Sequence, residues 1–142
     1  MIYFDSAYIV RLYYEDPGFE AVRQLAATGA IACAQHGRAE VVAALHRKRR
    51  EGRLANNLYT VVLQEFAAES QAGAFTWLPL SPAVFRRIER VCVNLPQNVV
   101  LRAADAMHLA CAAERGLREI YSNDQRLLAA ASHFGLNAAN VI

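Results

Sequence analysis

The chain has 142 residues, 55% of them hydrophobic, with a formal net charge of +2 and three cysteines. That length suits one domain over residues 1–142, large enough to bury a core without staples. The charge excludes a strongly basic tail, and the wide spacing of Cys33, Cys92 and Cys111 excludes a CxxC or zinc motif, leaving the three as small buried apolar residues. No apolar run reaches the ~18 residues of a membrane span. The start, MIYFDSAYIV, lacks the pattern of a secretory leader, so the expected location is the cytoplasm with no membrane partner.

Taken in order, Ile2 to Phe4 reads as a buried strand that delivers Asp5-Ser6 at its carboxyl end. Ser6 to Tyr14 has helical spacing, Asp16-Pro17-Gly18 is a turn, and a second helix runs from Phe19 towards Gly29. Ala30 to Ala34 is a second strand. Gln35 to Gly52 follows as a helix, with Val41, Val42, Ala44 and Leu45 expected inward and a basic tail, His46 to Arg50. Leu54 to Ala72 is another helix, closed by Gly73, and Phe75 to Leu80 a third strand. Ser81-Pro82 opens the next helix, with Ser as N-cap and Pro at its first position, and it runs to about Asn94.

After a loop over Leu95 to Val100 comes LRAADAMHLACAAE, Leu101 to Glu114, a strong helix former with one carboxylate among its alanines. Asp105 there has three open roles: a favourable charge at the helix start, a partner for Arg102, or a ligand to a cation. Arg118 to Ser122 gives a fourth strand ending at Asn123-Asp124. Gln125 to Phe134 is a short helix, and Val141-Ile142 is a candidate fifth strand.

Strands alternating with helices imply an α/β/α sandwich around a short parallel sheet of four or five strands. In such sheets ligands gather at the carboxyl ends of the strands. Asp5 and Asp124 lie at two such ends, and Glu40 and Asp105, early in helices, can face the same crevice. Converging carboxylates raise one another's pKa, and a divalent cation relieves this; oxygen ligands suit Mg²⁺ or Mn²⁺. The same acids also serve as caps and turn formers, a reading that periodicity alone leaves open.

Four pieces of the chain, in this order, resemble the PIN-domain family and within it the VapC-type toxins of toxin–antitoxin pairs. They are MIYFDSAYIV with Asp5, RAEVVAAL with Glu40, LRAADAMHLA with Asp105 and SNDQRL with Asp124. The resemblance covers essentially the whole chain and implies a PIN-like fold and a Mg²⁺- or Mn²⁺-dependent endoribonuclease. It implies that Asp5 and Asp105 are metal ligands, that Glu40 and Asp124 complete the acidic site, and that Ser6 and Ser122 support it. It further implies an RNA substrate, a separate antitoxin chain and a homodimer. Two departures are mild: Ser122 where Thr is commoner, and His36-Gly37 ahead of Glu40. A non-toxin PIN nuclease of RNA processing and a non-catalytic RNA- or protein-binding PIN module are the alternatives. An aspartyl-phosphate mechanism at Asp5 needs a second Asp two residues on, where Ala7 stands.

Other residues carry two readings each. His108, one turn after Asp105, either positions a water or a phosphate or, as expected, is packed and satisfied by a neighbouring acid or backbone group. His36 suits a substrate contact or a helix start equally, and His46 a solvated helix end. Arg49 and Arg50, with the rest of the basic tail, are candidate RNA contacts or a solvated terminus; Arg102 binds either an acid or a phosphate. Arg86, Arg87 and Arg90 are similarly ambiguous. Tyr8, Tyr13, Tyr14 and Phe19 line either a partner groove or the core.

Overall fold

The computed structural model describes residues 1–142. Five parallel strands form one sheet: β1 (Ile2–Phe4), β2 (Ile31–Ala34), β3 (Phe75–Leu78), β4 (Glu119–Tyr121) and β5 (Asn137–Ala139). Their order across the sheet is β3-β2-β1-β4-β5. Helices α1 (Ser6–Tyr13), α2 (Phe19–Ala26), α3 (Gly37–Arg50), α4 (Asn56–Ala72), α5 (Pro82–Asn94), α6 (Ala103–Glu114) and α7 (Gln125–Ala130) cover its two faces, with a 3₁₀ turn over Ala131–Phe134. No helix is long and apolar enough to cross a membrane.

The two faces follow from the period of two along a strand. On β1 and β2, Tyr3, Ala32 and Ala34 pack with Ala106, Leu109, Leu127 and Phe134 in one core. Their neighbours Phe4, Ile31 and Cys33 pack with Tyr8, Ile9, Val41, Leu45 and Phe66 in the other. The central strand β1 is bonded on both sides, to β2 and to β4, and its side chains sit in both cores, which is why a three-residue strand suffices.

Several expectations change. The fifth strand is Asn137–Ala139, not Val141-Ile142: it pairs with β4 as Glu119↔Asn137, Ile120↔Ala138 and Tyr121↔Ala139. An edge strand needs only its backbone to join a sheet, so this one carries no apolar run. The tail beyond it is pinned by Tyr8, whose hydroxyl donates to Asn140 Oδ1 (2.8 Å) and accepts from the Val141 N–H (2.9 Å). Val42 is not inward but 37% exposed, since Val41, Leu45 and Lys48 occupy the buried stripe of α3. Helix α6 begins at Ala103, with Arg102 extended at its N-cap position. Ser81 stands at the N-cap of α5 as expected, with Pro82 first in the helix, but its side chain makes no capping bond. Cys33 and Cys111 are buried and Cys92 is exposed. Tyr8 is core, while the half-buried Tyr13 packs edge-on against Phe66 and the half-buried Tyr14 lies beneath the Lys48 ammonium.

Candidate functional site

The strand order reverses beside β1: the chain builds β2 and β3 on one side, then returns to lay β4 and β5 on the other. A crevice opens at such a switch point, outside the carboxyl ends of the two strands. Asp5 follows β1 there, and Ser122 to Asp124 follow β4. The amino ends of α3 and α6 bring Glu40 and Asp105 to the same edge. All four acids line one cavity of about 430 Å³, together with Ser6, Arg102, His108 and Asn123.

Each acid is held by a different device. Asp5 is buried; its Oδ1 caps α1 by accepting the Tyr8 N–H (2.9 Å), while Oδ2 accepts the Ser122 hydroxyl. The buried Ser122 Oγ in turn accepts the Asp124 N–H (2.9 Å), so one hydroxyl ties the ends of β1 and β4 together. Asp124 caps α7, accepting the N–H groups of Arg126 (2.9 Å) and Leu127 (3.4 Å). Asp105 is buried beneath Arg102, whose Nε and one terminal nitrogen donate to it at 2.7 and 3.1 Å. The same guanidinium also pairs with Asp124. Glu40 meets the Nε2 atom of His108 at 2.7 Å and that of His36 at 3.9 Å. The capping and cation-site readings of these acids are therefore compatible: Asp5 and Asp124 use one oxygen for the helix end.

The electrostatics split the acids. Burial raises the Asp5 carboxyl above its ordinary value and the Glu40 charge adds to this; Ser122, His108 and the Tyr8 N–H act against it. Burial also opposes the ionised forms of Glu40 and Asp124. For Glu40 the hydrogen bond and charge of His108, with Ser6 and His36, together outweigh it, and for Asp124 Arg102 with two backbone N–H groups does so, so both carboxyls fall below their ordinary values.

The donor set fits a hard divalent ion. Carboxylate oxygens from four segments face one cavity, and the guanidinium bridging Asp105 and Asp124 shows that a cation is drawn to that point. The tightest group of potential ligands differs from the acidic set: one atom each from His36, Glu40 and His108 lie within 4.8 Å of one another.

His108 is packed and satisfied, as its place on α6 suggests. It is 2% exposed and bonded to the Tyr3 hydroxyl as well as to Glu40. Tyr3 carries no sequence signal beyond its alternation with Phe4. The basic tail divides. Lys48 is 4% exposed and bonded to Asp16 at 2.5 Å. Arg53 joins Asp16 at 2.9 Å. Arg49 donates to Asn56 (2.7 Å) and lies over the Tyr59 ring at 4.9 Å. Arg47 and Arg50, which have no ion-pair partner, line a groove of about 580 Å³ together with Lys48 and Asp16, and this groove shares Ser6, Ala7 and Glu40 with the acidic cavity. On the far side Arg87 pairs with Glu114 at 2.5 Å.

No curated protein matches the chain. Solved structures do match in fold. FitAcB from Neisseria gonorrhoeae superposes with a TM-score of 0.75 at 18% identity, over 99% of this chain and 98% of that one. The sarcin–ricin loop cleaving toxin VapC20 of Mycobacterium tuberculosis gives 0.69 at 16% identity, over 92% and 95%. VapBC2 from Rickettsia felis, bound to a promoter DNA fragment, gives 0.68 at 14% identity, over 99% and 98%. The PIN-domain sequence pattern itself matches residues 2–132, and with nearly the whole chain inside that match, the chain belongs to the PIN-domain family of nucleases.

Proposed function

We propose that the chain is a Mg²⁺- or Mn²⁺-dependent endoribonuclease, the toxin of a toxin–antitoxin pair. The observation that carries this is the single cavity at the β1–β4 switch point, lined by Asp5, Glu40, Asp105 and Asp124. A divalent ion bound by these acids would supply an activated water and offset charge on the leaving oxygen of a phosphodiester. The chain's own part is positioning. The Tyr8 N–H and Ser122 fix Asp5, the α7 N-terminus fixes Asp124, and burial under Arg102 fixes Asp105. Glu40 and Asp105 have no backbone ties, and Glu40, 32% exposed in its side chain, is held at the cavity by the His108 imidazole.

RNA would reach this point along the groove between α1 and α3. Arg47 and Arg50 line that groove for phosphates, with Arg102 at its acidic end; Arg49, tied to Asn56, is a weaker candidate. The antitoxin as a separate partner chain, a homodimer and a cytoplasmic location complete the reading. A further neighbour in fold is a toxin–antitoxin complex from Klebsiella pneumoniae, which supports the separate partner chain.

The test is incubation of the purified chain with structured RNA, with and without Mn²⁺, beside the Asp5→Asn and Asp105→Asn variants. Cleavage that needs the metal and disappears in both variants supports the assignment. Cutting that persists in EDTA, or an Asp105→Asn variant that cuts at the normal rate, overturns it.

A further inference from the structure

Behind Glu40 lies a chain of buried hydrogen bonds that neither metal binding nor the fold alone demands. The Ala34 N–H donates to the Tyr3 hydroxyl oxygen at 3.0 Å. The same hydroxyl lies 2.8 Å from His108 Nδ1, and His108 Nε2 lies 2.7 Å from Glu40 Oε2. Tyr3 and Ala34 are fully buried and His108 is 2% exposed, so no water competes along the way.

The direction of every proton in this chain follows from counting donors and acceptors. A backbone N–H only donates, so the Tyr3 oxygen accepts from Ala34. An ionised carboxylate only accepts, so His108 Nε2 carries a hydrogen. In a neutral imidazole Nδ1 is then a lone pair, and the Tyr3 hydroxyl hydrogen completes it. We propose that Tyr3 and His108 form a relay that positions Glu40: the β1 hydroxyl selects the Nε2–H form of the α6 imidazole, and that N–H holds the α3 carboxylate at the cavity. His108 and Tyr3 are positioning residues; neither touches the reacting phosphate. This rests on the nuclease reading, in which Glu40 belongs to the acidic site.

The surrounding packing is shaped for this ring. A Cβ on Gly37 would come within 2.5 Å of Cys33 Sγ and 3.4 Å of His108 Cε1. Only a glycine lets the start of α3 press so closely on β2 and on the imidazole, and Glu40 lies one turn further along that helix. On its other side the His108 ring meets His36, centroid to centroid at 4.3 Å. His36 Nε2 lies closer to the Ala104 carbonyl (3.2 Å) than to Glu40 Oε2 (3.9 Å).

The rival use of these groups is a transition-metal site made by His36, Glu40 and His108. It fits the hydrogen bonds less well. Ligation through His108 Nε2 would move its hydrogen to Nδ1, so the Tyr3 oxygen would face two N–H donors and its own hydrogen would lack an acceptor. Ligation through His36 Nε2 would break the bond to Ala104 and leave a hydrogen on Nδ1, which is buried without a partner. The relay leaves only that one nitrogen lone pair unmet, which costs less than two buried unpaired donors.

The test uses the whole protein. Long-range nitrogen–proton NMR of metal-free protein should show His108 Nδ1 as an unprotonated nitrogen and Nε2 as a protonated one. The reverse pattern overturns the relay. So does stoichiometric Zn²⁺ that shifts His36 and His108 together, which assigns the cluster to a metal. His108→Leu should lower kcat on RNA by about 10- to 100-fold, in the range typical of lost outer-shell partners, with KM little changed. His108→Gln, whose amide keeps an N–H for Glu40, should recover most of that loss. Equal activity in all three proteins, or a Gln variant as impaired as the Leu one, sinks the proposal. Should His108→Leu not fold, Tyr3→Phe replaces it: with the hydroxyl gone the two imidazole forms should mix, and an unchanged NMR pattern counts against the relay. A wild-type protein that cuts no RNA with or without Mn²⁺ overturns the nuclease reading alone, because the NMR result stands without any catalysis.

Discussion

The two ends of α3 carry opposite charge and use it in opposite ways. At the amino end Glu40 is tied to a buried imidazole, and His36 to the Ala104 carbonyl. At the carboxyl end the run from Arg47 to Arg50 is shared out by helical phase. Lys48 falls on the buried stripe of Val41 and Leu45 and is bonded to Asp16 where both border the groove, while Arg47 and Arg50 stand exposed at the same groove and have no ion-pair partner. A charge run is thus not one feature. Its members divide according to which side of the 3.6-residue period each occupies.

The largest expected effect lies at the amino-end cavity. Asp5→Asn should abolish RNA cleavage yet leave the fold intact. It should also change how stability depends on pH in EDTA. Burial raises the Asp5 carboxyl in the folded state. Its contribution is therefore full below the ordinary carboxylate value, ~3.9, and fades as pH rises through the folded value. The variant should melt higher than the parent at pH 7, with the gap closing towards pH 4. Glu40 and Asp124, held below their ordinary values, act the other way: their contribution is present at neutral pH and lost in acid. They remain in both proteins, so both should still weaken in acid. A constant gap across this range would mean that Asp5 does not carry the burial cost.

Next in size is the buried lysine. Lys48→Ala removes one of two cations on Asp16 and the nearer of two cations on the Tyr14 face, 4.3 Å away, with Arg53 left at 5.8 Å. Breaking a buried pair costs about 3–5 kcal/mol, and the remaining Arg53 should hold the loss to about 2–3 kcal/mol. Denaturant unfolding measures it. Arg50→Ala, two residues on and exposed, should change stability by less than about 0.5 kcal/mol. Equal losses in both variants would erase the division of the tail.

How much of this was legible beforehand follows the same logic. Strand ends and helix starts place the four acids at one sheet edge, but those local signals suit caps and turns as well; the resemblance of the four segments to the PIN-domain family is what singled the acids out. The first four strands and the helix order are legible from local signals alone. The edge strand Asn137–Ala139 is not, because it is held by backbone bonds to β4 and buries little side chain. The Tyr3–His108 bond joins residues 105 apart in sequence, so no window along the chain contains it. The inward turn of Lys48 was legible in principle, three residues after Leu45 on the buried stripe, but its charge masks the period.

The groove itself predicts a moderate effect. Arg47→Ala with Arg50→Ala should weaken RNA binding and flatten its salt dependence by about 0.7 per lost phosphate contact, the value for single strands. Arg49→Ala, whose guanidinium is occupied by Asn56 and Tyr59, should leave the slope unchanged. Binding titrations across a salt series separate the two. A slope that responds to Arg49 and not to the pair would move the RNA path to the outer face of the helix.

The smallest effect concerns the one cation already in the acidic cavity. Arg102 bridges Asp105 and Asp124 and is 47% exposed in its side chain. Arg102 is exposed but Asp105 beneath it is buried, so the small effect expected rests on the Arg102→Gln amide keeping one of the two donors to Asp105, and the melting temperature of the metal-free protein should then fall only slightly. Its consequence should appear in Mn²⁺ binding, followed by electron paramagnetic resonance. A divalent ion and the guanidinium compete for the same carboxylate oxygens, so removing one should tighten the other by a few-fold. Weaker Mn²⁺ binding would instead mean that Arg102 holds Asp105 and Asp124 in a ligating posture. The arginine would then act as Tyr3 and His108 act on Glu40, and both edges of the cavity would be organised by buried or bridging donors rather than by the ion.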